Sequence, residues 1–348
     1  MNDSPEFITQ ISSLLTSVGL KPDVHAIKNC TQGRNNRTYR IQTGEGSFVV
    51  KQYLRQEGDT RDRLASEFAF LSYAKQVAPS MIPQPFFQDL KRGMALYEYL
   101  EGEPLQAHEI TAAEVNQAAQ FFCALNEASM RAKAADLPQA SEACFSIQEH
   151  FDLIGIRIQN LENMKPDSGE DQAAKQLVNR LSAYWCYLVA EVIRLAQKEG
   201  IDLNRSLDRE QRCISPSDFG FHNALKMPDG RICFLDFEYA GWDDPAKMTG
   251  DFFSQLALPV PAELFTDFVQ QVMQPFPQAE LLIRRARLLR WVYRVKWCCI
   301  ALNIFLPVHL ARYRFSNPKL DVREFKCGQI DKVAYLLKSL ESQNHGLY

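Results

Sequence analysis

An α+β fold in two unequal parts is what this sequence predicts, a small β-rich half followed by a larger helical one. Short alternating apolar runs with turn residues between them gather before residue 100, and stretches of helical periodicity fill most of the chain beyond it. Strands first and helices after, rather than a strict alternation of the two, give the α+β class. The run Glu101-Gly102-Glu103-Pro104 reads as a linker, so the expected lobes are residues 1–100 and 101–348. A chain of 348 residues has ample length for a sizeable core.

Residues 5–19 open as an amphipathic helix, with Phe7, Ile8, Ile11, Leu14 and Leu15 at helical spacing. The segment CTQGRNN is rich in turn signals. It leads to a hairpin in which TYRIQT and SFVVKQY flank Gly44-Glu45-Gly46. From Thr60 to Gln76 the pattern is helical, with Leu64, Phe68 and Leu71 three or four residues apart. Pro79, Pro83 and Pro85 end that helix and introduce a new strand region. MALYEYL then reads as a strand running into the linker. Helical patterns cover about 111–134, 146–162 and 172–199, a loop-and-strand insert spans Cys213 to about Tyr239, and helices return at about 261–273, 278–306 and 322–342.

Composition narrows the function. Formal net charge is −3, from 39 basic and 42 acidic residues, which argues against a non-specific nucleic-acid binder. The nine cysteines are scattered, with no CxxC pair, so neither a zinc site nor a disulfide framework is expected. The opening MNDSPEFITQ lacks the basic and apolar regions of a signal peptide. The apolar stretch from Trp297 to Val308 is interrupted by Asn303 and is too short to span a bilayer. A reduced, soluble, cytoplasmic protein without nucleic-acid or membrane partners is the expectation; its oligomeric state is open.

The most informative segment is CISPSDFGFHNALKMPDGRICFLDFEYAG. It sets Asp218, Asn223 and Asp236 in order, five and thirteen residues apart. Pro228-Asp229-Gly230 forms a turn and RICFLD a strand ending at Asp236. A loop, a tight hairpin and an acid at a strand end would gather these side chains. Taken singly, Asp218 and Asn223 read as turn caps. Together they suit phosphoryl transfer, which needs oxygen ligands for Mg²⁺ and a carboxylate beside the acceptor hydroxyl.

The segment resembles the catalytic loop and metal-binding hairpin of aminoglycoside phosphotransferases, choline kinases and their protein-kinase-like relatives. Their pattern is roughly His-Gly-Asp, four residues, Asn, then an Asp after the next strand. The run Asp236-Phe237-Glu238-Tyr239-Ala240-Gly241 is similar to that of choline and ethanolamine kinases. The resemblance implies a bilobal protein-kinase-like fold, with Asp218 as catalytic base and Asn223 and Asp236 as Mg²⁺ ligands. It implies an ATP-dependent transfer to a hydroxyl of a small molecule, an amino alcohol, a sugar or an aminoglycoside-like compound. Upstream, Lys51 and Glu67 stand where the cation on the ATP phosphates and its acidic partner belong. Gly33 and Asn36 match the nucleotide-covering loop, with Tyr39 as the aromatic three residues beyond Asn36. Glu98, Tyr99 and Leu100 lie where relatives meet the adenine edge.

Two departures matter, and one neighbouring residue bears on the first. Pro216 stands where the family has His, which motivates an alternative reading as a catalytically weak or silent kinase-like nucleotide-binding protein. His222, beside Asn223, reads as a surface or packing residue. After Asp244-Pro245, Met248 occupies the place of a family Asp, so Asp251 is expected to cap or brace. A protein kinase is disfavoured, because only about ten residues separate Asp236 from Lys247, too few for a peptide-docking segment. For the acceptor, Glu238, Trp242 and Asp243 suit a cationic amine, although Trp242 also reads as core and the acids as solvated. Arg284, Arg285, Arg287, Arg290, Arg294 and Lys296 read as one solvated helix face, or as lining for an anionic acceptor if some turn inward.

Overall fold

The computed structural model describes residues 4–32, 36–54, 61–317 and 319–342. Helix α1 (Pro5–Ser17) starts where Ser4 caps it, its Oγ accepting the Phe7 N–H at 3.2 Å. Strands β1 (Val24–Gln32), β2 (Asn36–Thr43), β3 (Gly46–Tyr53), β4 (Pro85–Asp89) and β5 (Met94–Glu98) form one antiparallel sheet in the order β1-β2-β3-β5-β4.

Alternation along the strands gives this sheet two apolar faces. One carries Tyr39, Ile41, Val50, Met94 and Leu96, which pack on Phe7, Ile11, Leu14 and Leu15 of α1. The other carries Tyr53, Ala95 and Tyr97, covered by α2 (Arg63–Val77). That second face joins the main core of the molecule, for Phe70 of α2 meets Phe237 with ring centroids 4.7 Å apart. The linker separates two stretches of chain, but the large core runs across it through α2.

Beyond Gly102, the short strand β6 (Glu103–Pro104) pairs with β8 (Ala224–Lys226), which pairs with β9 (Ile232–Phe234). A second two-stranded unit joins β7 (Cys213–Ser215) to β10 (Gly241–Asp243), with Ser215 opposite Gly241. The segment between residues 215 and 241 is thus pinned at its base. Gly241 has to be glycine there, since a Cβ would stand 2.2 Å from the Pro138 carbonyl oxygen. The remainder is helical: α3 (Ala112–Leu125), α4 (Ala128–Arg131), α5 (Ile147–Glu162), α6 (Gly169–Lys198), α7 (Pro245–Phe252), α8 (Phe265–Met273), α9 (Ala279–Leu302), α10 (Pro307–Ser316) and α11 (Val322–Ser342). Helix α9 is the central one, buried between its neighbours.

Some elements differ from the sequence reading. The helix expected over 111–134 stops at Leu125. The fully buried Asn126 spends its amide on β7, donating to Ile214 O at 3.0 Å and accepting from Ile214 N at 2.7 Å. Strand β1 escaped notice because it is a sheet edge with a mostly exposed, polar sequence. Helix α7 also escaped, because it is only eight residues long and every one of them is buried. Helix α9 ends at Leu302, and Pro307 at the first turn of α10 restarts the chain in a new direction.

The nine cysteines are free thiols. Among the described residues, no single helix is long and apolar enough to cross a membrane.

Candidate active site

Lys51 is fixed by strand alternation. It shares a sheet face with Tyr53, opposite Thr38 on β2 and Ala95 on β5. Its ammonium, buried with the rest of the side chain, donates to Glu67 Oε2 at 2.7 Å and to Asp236 Oδ1 at 2.5 Å. Tyr53 Oη donates to the same Glu67 oxygen at 2.6 Å, and the Tyr97 hydroxyl lies 2.8 Å beyond. Glu67 Oε1 accepts the Phe237 N–H at 3.3 Å, which ties α2 directly to the segment carrying Asp236. Burial alone would neutralise Lys51, but Asp236, Glu67 and Glu238 outweigh it and raise its pKa, so it stays charged. Burial pushes Glu67 up against the opposing pull of Lys51.

The catalytic-loop candidates are set by turn chemistry. After β7, Ser217 takes a left-handed backbone with φ 67°, and its N–H donates to Ser215 Oγ at 3.0 Å. The bend presents Asp218 to the cleft. Asn223 Nδ2 donates to the Asp218 carbonyl at 3.0 Å, and the Asn223 carbonyl accepts the Leu235 N–H at 2.8 Å. Asp236 itself has φ 63°, a second left-handed residue that is not glycine. Asp218, Asn223 and Asp236 are therefore held in one hydrogen-bonded unit.

His222 departs from its sequence reading. Its Nε2 lies 3.3 Å from Asp218 Oδ1, and its Nδ1 is buried with no hydrogen-bond partner among the described residues. Burial raises the Asp218 pKa, but contact and charge from His222, then the Asn223 side chain and Lys296, win and lower it below the ordinary carboxylate value. Position 222 carries an imidazole onto the acid. The spacing of four residues from Asp218 was the signal for this contact.

The remaining candidates separate. Gly33 lies outside the described residues. Asn36 is buried at the start of β2, where its Nδ2 donates to Glu238 Oε2 at 3.1 Å across the cleft. Tyr39 belongs to the small core, 4.8 Å from the Phe7 ring. Glu98 ends β5 and accepts the Gln84 N–H at 3.1 Å; Tyr99 and Leu100 come next, and the Tyr99 ring holds the Arg40 guanidinium 4.0 Å from its centroid.

A cleft of 540 Å³ is lined by Asn36, Asp218, His222, Asp236 and Glu238, and by residues of α9 and α10. Trp242 and Asp243 are not among its lining. Trp242 donates its indole N–H to Ala134 O at 2.9 Å and packs on the core. Asp243 is fully buried and takes Lys247 Nζ at 2.5 Å. Burial raises its pKa to about 6 against the pull of Lys247. An acceptor role for these two is therefore withdrawn: the indole is held at the Ala134 carbonyl and the carboxylate at Lys247.

The basic run on α9 is also not a solvated face. Arg285 and Lys296 are buried, and of the six only Arg287 is exposed. Arg285 Nε donates to Asp244 Oδ2 at 2.9 Å, and His150 Nε2 meets the same oxygen at 3.0 Å. Asp244 is held at about 2, because Arg285 and His150 override its burial. Asp251, expected to cap or brace, binds Lys296 at 2.9 Å through each oxygen and accepts the Trp297 N–H at 2.8 Å.

No group of three or more His, Cys, Asp or Glu side chains able to hold a metal occurs among the described residues. A cation shared with nucleotide phosphates needs fewer. Asp236 is partly exposed to the cleft and offers carboxylate oxygens. The donor end of the Asn223 amide is engaged by Asp218 O, which leaves its oxygen for a cation. The donor set is hard oxygen and fits Mg²⁺ bound jointly with phosphates.

Comparison with known proteins agrees with this geometry. A model of the phosphotransferase enzyme family matches residues 26–271, well over half of the chain. No curated protein matches the sequence significantly. Among solved structures, the chain is similar to a choline kinase from Cryptosporidium parvum Iowa II, with TM-score 0.62, 13% identity and 99% of each chain covered. It is also similar to a choline/ethanolamine kinase family protein from Mesorhizobium loti, with TM-score 0.57, 16% identity, and 96% of this chain and 94% of that one covered. A spectinomycin phosphotransferase solved with ADP and spectinomycin gives TM-score 0.55 and 12% identity, over 94% of this chain and 98% of that one. The fold is that of the choline kinases and aminoglycoside phosphotransferases, a protein-kinase-like α+β fold.

Proposed function

The chain belongs to the phosphotransferase enzyme family, and on that premise we propose that it transfers the γ-phosphate of ATP to a hydroxyl of a small molecule, with Mg²⁺ as cofactor. The observation that carries this reading is the convergence of Lys51, Glu67, Asp218, Asn223 and Asp236 from four separate segments on one site.

In this reading Lys51 holds phosphate oxygens of the nucleotide, and Glu67, itself braced by Tyr53 and the Phe237 N–H, holds Lys51. Backbone at Glu98–Leu100 meets the adenine, and Gly33 and Asn36 belong to the segment covering the phosphates. Asn223 and Asp236 hold Mg²⁺, which when bound neutralises charge on the phosphates. Asp218, kept ionised, orients the acceptor hydroxyl and takes its proton as the new O–P bond forms and the P–O bond to ADP breaks. Residues 1–100 act as the nucleotide lobe and 101–348 as the catalytic and acceptor lobe. The neighbours named for choline and spectinomycin support an acceptor of small-molecule size.

Acceptor-dependent ADP release across a panel of amino alcohols, sugars, aminoglycosides and hydroxy acids tests the reading. Release that needs both an acceptor and Mg²⁺ is the expected result. Tight MgATP binding with no product from any acceptor would point instead to the silent nucleotide-binding alternative that Pro216 motivates.

A further inference from the structure

The acceptor side of the cleft has an unbalanced charge pattern. Its two carboxylates are already saturated. Glu142 is bonded by Arg157 and lies 3.9 Å from Lys296 Nζ. Asp251 takes Lys296 at 2.9 Å, lies 3.8 Å from Lys247 and accepts the Trp297 N–H at 2.8 Å. Each acid thus meets two internal cations, and a cationic acceptor would have to displace one of them. Asp218, Asp236 and Glu238 are committed as well, to His222, Lys51 and Asn36.

The cations are not all matched. Arg312 of α10 lines the same cleft and makes no hydrogen bond or ion pair with any described residue. Arg157 also lines it, and its Nε is buried without a hydrogen-bond partner among the described residues. A buried donor left unmet is costly, and a guanidinium suits a carboxylate or phosphate through paired N–H groups.

We propose that the acceptor is a hydroxyl compound bearing an anionic group, a carboxylate or a phosphate, and that Arg312, together with Arg157, receives that group. The proposal rests on the phosphotransferase reading, since it concerns the acceptor half of the same cleft.

Calorimetric titration of the full chain with four probes tests it without turnover. The probes are glycerol 3-phosphate, D-glycerate, glycerol and choline, with MgATP titrated separately. At least one anionic probe is expected to bind about tenfold or more tightly than glycerol and choline. The preference should weaken as salt rises, and the better of the two anions identifies phosphate or carboxylate. Arg312→Gln should reduce that affinity about tenfold, with Arg312→Lys recovering part of it. Choline or glycerol binding as tightly as both anions would overturn the proposal. So would failure of both anions to bind a chain that binds MgATP, or an Arg312→Gln variant with unchanged anion affinity. Failure to bind MgATP would strike the phosphotransferase reading instead.

Discussion

Asp218 and His222 form the most informative pair of side chains. Asp218 lies below the ordinary carboxylate range, so its anion persists to lower pH, and activity should fall only as pH drops through that lowered value. His222 acts through Asp218 as a positioning residue. His222→Ala removes its contact and charge, so the Asp218 pKa rises and the acid limb of the kcat/KM profile moves to higher pH. An unmoved limb would show that His222 only packs. Ser217 is a second residue-scale test. Its left-handed backbone costs about 1–2 kcal/mol, and glycine would return about 0.5–1 kcal/mol of that as unfolded-state entropy. Ser217→Gly should therefore raise stability by up to about 1 kcal/mol in urea denaturation. Asp218, Asn223 and Asp236 were legible in the sequence because loop and hairpin spacing is local. Trp242 and Asp243 were misread because sequence proximity to Asp236 does not say which way β10 faces: the indole is held by the distant Ala134 carbonyl and the carboxylate by Lys247.

At the scale of elements, one that helps position the site left no mark in the sequence. Helix α7 is only eight residues long and buried throughout, whereas α9 was readable over about 278–306 and only the burial of its Arg285 and Lys296 was not. Their contact is close. A Cβ on Gly250 would stand 2.6 Å from the Tyr293 ring, so Gly250→Ala should cost about 1–3 kcal/mol by overpacking. Arg285 anchors the start of α7 through Asp244. Arg285→Gln would strand a buried carboxylate and should cost about 3–5 kcal/mol near neutral pH. Because Asp244 sits at about 2 in the fold against an ordinary 3.8, its stabilisation is full above the ordinary value and is lost as pH falls through the folded one. The gap in unfolding free energy between wild type and Arg285→Gln should accordingly shrink from about pH 4 toward about pH 2. A gap independent of pH would refute the role given to that pair. The hairpin β2–β3, helix α2 and strand β5 were readable in advance because turn residues and prolines bound them and their apolar residues recur at strand or helix spacing. Edge strand β1 was not, because its apolar residues are few, with Val24 and Ile27 only partly buried against the small core.

Across the whole molecule, the site exists because the two stretches of chain are joined at several points. Lys51 reaches Asp236, Asn36 reaches Glu238, and Glu67 reaches the Phe237 N–H. The large core crosses the linker through α2. The order of strands before helices carried the fold class, and the Lys51–Glu67 and Asp218–Asp236 motifs carried the link between halves. What no local pattern could carry is the sign of the acceptor surface, since it depends on which charges on α7, α9 and α10 pair with one another. The most direct test of the phosphotransferase account is transfer of label from γ-labelled ATP to an acceptor by wild type and Asp218→Asn, with nucleotide binding measured on both. The account predicts labelled, phosphorylated acceptor from wild type and a loss of about 10²-fold or more in Asp218→Asn, with MgATP binding retained. Transfer by Asp218→Asn at a rate close to wild type, or no labelled acceptor from a wild-type chain that binds MgATP, would contradict it.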